Sequence, residues 1–425
     1  MRIASPVTAD MSYLLLAGFA LFGPAQAIQA LALTWFFSVL NPGIAPDSSF
    51  GAIGRLAVLA SAVVSVFIRS RSINSFSKTT LFLSVFFIAH SLIISLIPDV
   101  SILKVVSWTL SIMTLLTAWS LLDNDEWGKL SREMYRGILS LVLASIPLLG
   151  HPIGYLNNGT GFQGVLNQPQ AFGMTVAILG ALSGGQMFRH SQPSWLSIGL
   201  FMTCLILVVL SEARTAGLSL FLGLGLAALT ITFLTRCSWR SVLPGVLSKR
   251  FVFTVLSSLI VSLFMGSALV DRIDSYLVKH AQTSGILDAY NTSRGMLIDA
   301  MLSNIEENPL GGIGFGIASE PYFMRVTRDP FFDFPVSAPI EKGVLPIAVF
   351  EEVGLVGFLF VTVWIIALVR VVAWGGVVAL AASYTALIMN MGEAVLFSAG
   401  GMGMLLLIVL SWAVSSQKHL KGLRV

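Results

Sequence analysis

The residues best suited to chemistry gather in one long polar interruption of an otherwise apolar chain. Between Asp271 and Glu352 lie Arg294, Arg325, Arg328, Lys342, a run of carboxylates and the glycine-rich segment Asn308-Pro-Leu-Gly-Gly-Ile-Gly-Phe-Gly316. Guanidinium groups present a planar fork of donors that matches phosphate and carboxylate oxygens, so several of them together point to an anion. Arg214 belongs with this set. It sits in Ser211-Glu-Ala-Arg-Thr215, a hairpin too short to reach far into water. An Arg at the mouth of an apolar span costs a few kcal/mol unless it is paired or faces a polar cavity. Glu212 is its candidate structural partner, and a clamped phosphate is the functional alternative.

The carboxylates divide by depth. Pro339-Ile-Glu-Lys-Gly343 precedes an apolar run, and Glu351-Glu352-Val-Gly354 lies roughly two to three turns inside it. Unpaired carboxylates at that depth are expensive, so Glu351 and Glu352 are expected to face protein or water. Glu341 lies nearer the surface, among cations that keep it ionised, and is the candidate general base. A solvated loop carboxylate is its plain alternative. Gly311, Gly312, Gly314 and Gly316 permit positive φ and close backbone approach, but a nucleotide-binding loop is not spelled out: the Lys-Ser/Thr ending and the strand-first context are missing. His151 and His280 have no metal-ligand spacing, so neither a metal site nor a cofactor is expected.

The elements that must position these residues are membrane helices. Of 425 residues, 56% are hydrophobic and 11% charged, where a soluble domain carries roughly a quarter charged; mean hydropathy is +0.86. The apolar runs mostly reach about 16–25 residues, the length that crosses the hydrocarbon core, and they lack the period-2 alternation of a β-barrel. The sequence therefore predicts an all-α polytopic membrane protein. The net charge of +4, carried in short clusters, gives no indication of a nucleic-acid partner. Cys204 lies in an apolar run and Cys237 between basic residues, so no disulfide framework is expected. The N-terminal apolar run has no clear cleavage site and is taken as a retained first helix.

Hydropathy marks twelve spans, at 12–40, 50–69, 80–97, 101–122, 136–150, 167–187, 194–210, 213–235, 251–270, 342–370, 374–391 and 393–415. The first is too long for one straight crossing and contains Pro24, which predicts a kink, tilt or split. Basic clusters at Arg69/Arg71/Lys78, Lys129/Arg132/Arg136, Arg236/Arg240/Lys249/Arg250 and Lys418/Lys421/Arg424 fall on one side of this alternation, which places both termini in the cytoplasm. The 271–341 loop, between spans nine and ten, is then external. So are Arg55, Lys104, Arg214, Arg272, Lys279, Arg294, Arg325, Arg328 and Lys342. Singly, each could snorkel or pair with a carboxylate. As a set they suggest an outward-facing cavity for an anion. Within the loop, 291–307 reads as an amphipathic helix: Leu297, Ile298, Met301, Leu302 and Ile305 form one stripe, Asn291 or Thr292 caps it, Arg294 sits in its first turn, and Asn308-Pro309 stops it. Such a helix suits the membrane interface, with a plain surface helix packed over the bundle as the alternative. With no internal repeat apparent, 1–425 is read as a single membrane domain.

The order of these features resembles the O-antigen ligase and polysaccharide polymerase family of bacterial inner-membrane enzymes. The resemblance rests on Gly161-Phe-Gln-Gly-Val-Leu-Asn167-Gln168-Pro-Gln-Ala, on Ser211-Glu-Ala-Arg214-Thr-Ala-Gly-Leu, on Arg294 heading a helix that ends in Asn308-Pro-Leu-Gly-Gly-Ile-Gly-Phe-Gly316, and on Glu352-Val-Gly-Leu-Val-Gly357. It spans roughly residues 160–360; the flanking helices match only in number and hydropathy. It implies a GT-C-like, metal-independent glycosyltransferase acting at the periplasmic face, with a glycan on undecaprenyl diphosphate as donor and a glycan hydroxyl as acceptor. It implies that Arg214 and Arg294 bind the diphosphate and stabilise its developing charge, with Arg325, Arg328, Lys342, Asn167, Gln168 and Glu352 as further substrate-binding residues. Membrane lipids are expected partners, and the sequence leaves room for a chain-length regulator or a flippase as another. Ligases of the family carry a His-Asn pair where this chain reads Ser-Ala-Pro-Ile-Glu341-Lys342, so Glu341 stands in as the base and a polymerase is favoured over a lipid A-core ligase. A secondary transporter is the alternative of another class, since twelve spans with intramembrane charges describe those as well.

Overall fold

A computed structural model describes residues 6–45, 51–70, 74–155, 161–236, 238–258, 286–328, 333–340 and 342–421. The described residues are mainly helical. The helices are α1 (Pro6–Ala20), α2 (Pro24–Ser38), α3 (Gly51–Arg69), α4 (Ser75–Ile93), α5 (Pro98–Leu121), α6 (Asn124–Ser145), α7 (Pro169–Arg189), α8 (Trp195–Leu210) and α9 (Arg214–Thr235). After these come α10 (Ile286–Glu307), α11 (Leu345–Ala373), α12 (Gly376–Met389) and α13 (Gly401–Lys421). A small antiparallel ribbon pairs β1 (Thr327–Arg328) with β2 (Pro335–Ser337). Among the described residues, eight helices are long and apolar enough to cross a membrane: α3, α4, α5, α6 with its 3-10 continuation, α7, α9, α11 and α13. This is an all-α, multi-pass membrane protein.

Several boundaries differ from the hydropathy reading, each for a local reason. The first apolar run is split in two at residues 21–23. Pro24 opens α2, where a missing N–H breaks no helical bond, and the Arg69 guanidinium donates to the carbonyls of Leu21 (3.4 Å) and Phe22 (3.3 Å) that close α1. The run at 136–150 belongs to a helix that begins at Asn124, so Lys129, Arg132 and Arg136 lie on a helix and not in a loop. Asp123 and Glu126 exchange side-chain and backbone bonds at its start, Glu126 N–H to Asp123 Oδ1 at 2.7 Å and Asp123 N–H to Glu126 Oε2 at 3.4 Å, a capping box. Leu130, Ile138, Leu141 and Val142 are then buried at helical spacing. The last run starts at Gly401 instead of 393, because Asn390 Oδ1 draws the N–H groups of Val395 (2.9 Å) and Leu396 (2.8 Å) into a turn. The loop helix ends at Glu307, before Asn308-Pro309, as its sequence predicts. It starts at Ile286, since nothing in Ile286-Leu-Asp-Ala-Tyr290 breaks a helix; Asn291 and Thr292 are therefore interior and not caps. Residues 249–258 are helical, while the rest of the 251–270 run and loop residues 271–285 lie outside the described residues.

The chain forms two compact units, each assembled from separated segments: Met1–Ser131, Met296–Val371 and Asn390–Val425 in the first, Arg132–Gly295 and Val372–Met389 in the second. In the first unit, Trp108, Trp364, Phe87 and Phe397 form an aromatic core, and Trp364 Nε1 donates to Thr80 Oγ1 at 3.0 Å. In the second, α7 is buried along nearly its whole length and packs on α8, α9 and α12. Lipid offers no hydrophobic drive between helices, so close packing does the work. Gly180 and Gly184 of α7 meet Leu220 and Leu224 of α9, and Gly223 of α9 meets Thr385 of α12.

Candidate functional site

In the second unit, two of the sequence motifs meet. At the end of α8, Ser211 Oγ donates to the Val208 carbonyl at 2.7 Å, Glu212 takes a left-handed φ of 55°, and Arg214 becomes the first residue of α9. A left-handed non-glycine residue is uncommon and marks a turn the surroundings impose. The loop that opens α7 packs directly on this turn. Phe162 N–H donates to the Leu210 carbonyl at 2.8 Å, and the Phe162 ring meets Phe172 edge to face at 5.0 Å. Gly161 has φ +70°, and a side chain there would come within 2.7 Å of the Ser211 carbonyl. Ser145 Oγ pins the middle of the loop by accepting from Val165 N–H at 3.2 Å while donating to the Leu141 carbonyl at 2.9 Å. The loop delivers half-buried Asn167 and exposed Gln168 to the start of α7, with Gln168 at the N-cap and Pro169 in the first turn. The N-terminal ends of α7 and α9 thus lie side by side, with half-buried Arg214 at one of them. Two helix dipoles and a guanidinium raise the potential there in favour of an anion. Arg294 lies in the same unit more than two turns into α10, not in its first turn as expected.

In the first unit, the glycine-rich segment has found a partner within the chain. Helix α11 is broken at Gly354, with φ 64° and ψ −172°, and 308–316 lies against the break. Ile313 N–H donates to the Glu351 carbonyl (3.0 Å), Gly314 N–H to the Glu352 carbonyl (2.9 Å) and Leu355 N–H to the Pro309 carbonyl (2.9 Å). A side chain on Gly354 would overlap the Leu310 carbonyl. Phe315 stacks on Phe87 at 4.3 Å and fixes the segment in the aromatic core. His90 Nε2 donates to the Gly311 carbonyl and Lys104 Nζ to the Gly316 carbonyl, both at 2.6 Å.

Glu351 and Glu352 face protein, as their depth requires. Buried Lys342 Nζ lies 2.7 Å from Glu351 Oε2 and 3.1 Å from Glu352 Oε1. Asn304 Nδ2 donates to Glu351 Oε1 at 2.7 Å, and Gly316 N–H to Glu352 Oε2 at 2.7 Å. Every oxygen of both carboxylates therefore has a partner inside the fold. The arrangement is a closed lock that holds the glycine-rich segment to α11, and it engages Lys342 and Glu352, two of the expected substrate ligands, with each other. Arg328 pairs with Asp99 at 2.7 Å and donates to the Asp333 carbonyl at 2.9 Å. Arg325 is exposed. Glu341 lies outside the described residues.

Asn304 and His90 bear on this lock and are marked by none of the motifs above, while Lys104, a member of the outward cation set, holds the glycine-rich segment instead of facing an anion. Asn304 carried a readable signal: it stands three residues after fully buried Met301, on the stripe that faces the core, where a polar side chain needs an internal partner. Among the described residues, no group of three His, Cys, Asp or Glu side chains is placed to hold a metal. Comparison of the chain with protein-family models and with curated proteins finds no match. Fold and composition thus define a class, the all-α multi-pass membrane proteins.

Proposed function

We propose that this protein is a polysaccharide polymerase that transfers a glycan from undecaprenyl diphosphate to an acceptor glycan hydroxyl at the periplasmic face of a bacterial inner membrane. In this reading all twelve apolar runs cross, both termini are cytoplasmic and the 271–341 loop is periplasmic. The observation that carries it is the second unit's pairing of motifs: the loop bearing Asn167 and Gln168 is bonded to the turn that sets Arg214 at the head of α9. That end of the unit is chemically suited to a diphosphate. The acceptor oxygen attacks the anomeric carbon with inversion, the bond to diphosphate breaks, and Arg214, with Arg294, stabilises the negative charge that leaves. Glu341 takes the acceptor proton. Positioning and charge stabilisation supply much of the acceleration because diphosphate already leaves readily.

A secondary transporter is the second reading, favoured by the broken helix at Gly354 and the carboxylates beside it. Those carboxylates have all their oxygens engaged and the break is filled by 308–316, which weighs towards the enzyme. Arg214→Lys keeps the charge but loses the planar fork, so glycan transfer in isolated membranes should fall at least tenfold with normal protein levels. Glu341→Gln should abolish turnover while binding of the lipid-linked donor persists. Wild-type transfer by Arg214→Ala would remove this residue from the site.

A further inference from the structure

The chain from Ser319 to Arg328 forms a short strap over one end of α5, and both of its ends are pinned in the first unit. Upstream, the Ser319 carbonyl accepts from Asn304 Nδ2 at 2.8 Å, and Gly316 is held by Lys104 of α5. Ile317 between these pins is fully buried. Downstream, Arg328 is paired at 2.7 Å with Asp99 in the first turn of α5, and β2 packs against the same helix. Between the pins the burial reverses. The 3-10 turn Pro321–Phe323 places two aromatic rings at the tip, Tyr322 at 95% and Phe323 at 81% exposure, with exposed Arg325 just beyond.

The height of this tip is bounded by its tethers. Helix α5 has 24 residues; at about 1.5 Å per residue it slightly exceeds a hydrocarbon core of about 30 Å, so Asp99 lies at the boundary between acyl chains and headgroups. Exposed Ile93 and Leu96 just before α5, and exposed Leu310 on the docked segment, bring apolar surface up to the same level. A strap this short holds its midpoint within about 15 Å of a pin even when extended. Aromatic rings with a neighbouring Arg are the composition that settles in the interfacial layer: the rings enter the headgroup–acyl boundary and the guanidinium meets lipid phosphate.

We propose that the 319–328 strap is a lipid anchor, with Tyr322 and Phe323 lodged in the interface of the leaflet at this end and Arg325 on anionic headgroups. The proposal rests on membrane insertion of α5 and stands independently of the glycan-transfer reading. To test it, Tyr322→Cys and Phe323→Cys are made separately in a Cys237→Ser background; Cys204 is buried in α8 and can stay. Each full-length protein is spin-labelled and reconstituted in vesicles of phosphatidylethanolamine and phosphatidylglycerol, and label accessibility to oxygen is compared with that to a water-soluble nickel complex. At both positions oxygen should exceed nickel severalfold, while exposed Asp125→Cys in the charged first turn of α6, beyond the other end of α5, should show the reverse. Nickel exceeding oxygen at both 322 and 323 would overturn the anchor. So would a water-exposed label that slows only when a soluble oligosaccharide is added, an outcome that makes the strap a glycan surface instead.

Discussion

Replacing Lys342 by methionine would leave Glu351 and Glu352 buried side by side with no cation between them. Breaking a buried pair by removing one partner costs about 3–5 kcal/mol, so Lys342→Met should lower the melting temperature of the purified protein sharply. Adding Glu351→Gln to that variant should recover part of the loss, because one of the two uncompensated charges is gone. An unchanged melting temperature in Lys342→Met would contradict the lock. At this scale the sequence showed the need but not the solution. That two carboxylates inside an apolar run must find partners follows from the cost of leaving them bare. That Lys342, nine residues upstream of Glu351, is the partner does not follow, because it depends on how the chain enters α11. The position of Arg214 at the head of α9 follows from the sequence for the opposite reason: its hairpin is so short that the residue has few places to go.

At the scale of elements, the break in α11 and the glycine-rich segment explain each other. Gly354 has a φ/ψ combination essentially closed to residues with a side chain, and its missing Cβ leaves room for the Leu310 carbonyl. Gly354→Ala should destabilise the first unit by more than the about 1–3 kcal/mol of backbone strain alone. It should also release 308–316, read as faster amide hydrogen exchange across that segment. Gly18→Ala in α1, where a Cβ would meet nothing within 4 Å, is the control and should change neither. Undisturbed exchange in Gly354→Ala would mean the segment is held some other way. Hydropathy located the membrane helices to within a few residues wherever apolar composition and helix ends coincide, as in α3 and α9. It missed ends that hydrogen bonds decide, such as the capped start of α6 among charged residues and the turn around Asn390. The glycine cluster is visible in the sequence, but its partner is a set of backbone carbonyls on α11 that leave no compositional trace.

For the whole molecule, the account depends on which side of the membrane each segment meets. Lys418 is an exposed residue near the end of α13, and Ser284 belongs to the long loop. Labelling with a membrane-impermeant thiol reagent should reach Ser284→Cys in intact cells and Lys418→Cys only after permeabilisation; the opposite pattern at both would invert the proposed orientation. The central claim is catalytic, and turnover tests it most directly. Purified protein in vesicles is supplied with undecaprenyl-diphosphate-linked glycan repeats in excess EDTA, and chain length and released undecaprenyl diphosphate are measured together. The account predicts glycans longer than the input repeat, with one undecaprenyl diphosphate released per repeat added, and tenfold or greater loss of both in Arg214→Lys. Unextended glycan and no released diphosphate from folded protein, with the same lipid-linked repeat or another solute moved across the bilayer, would contradict it.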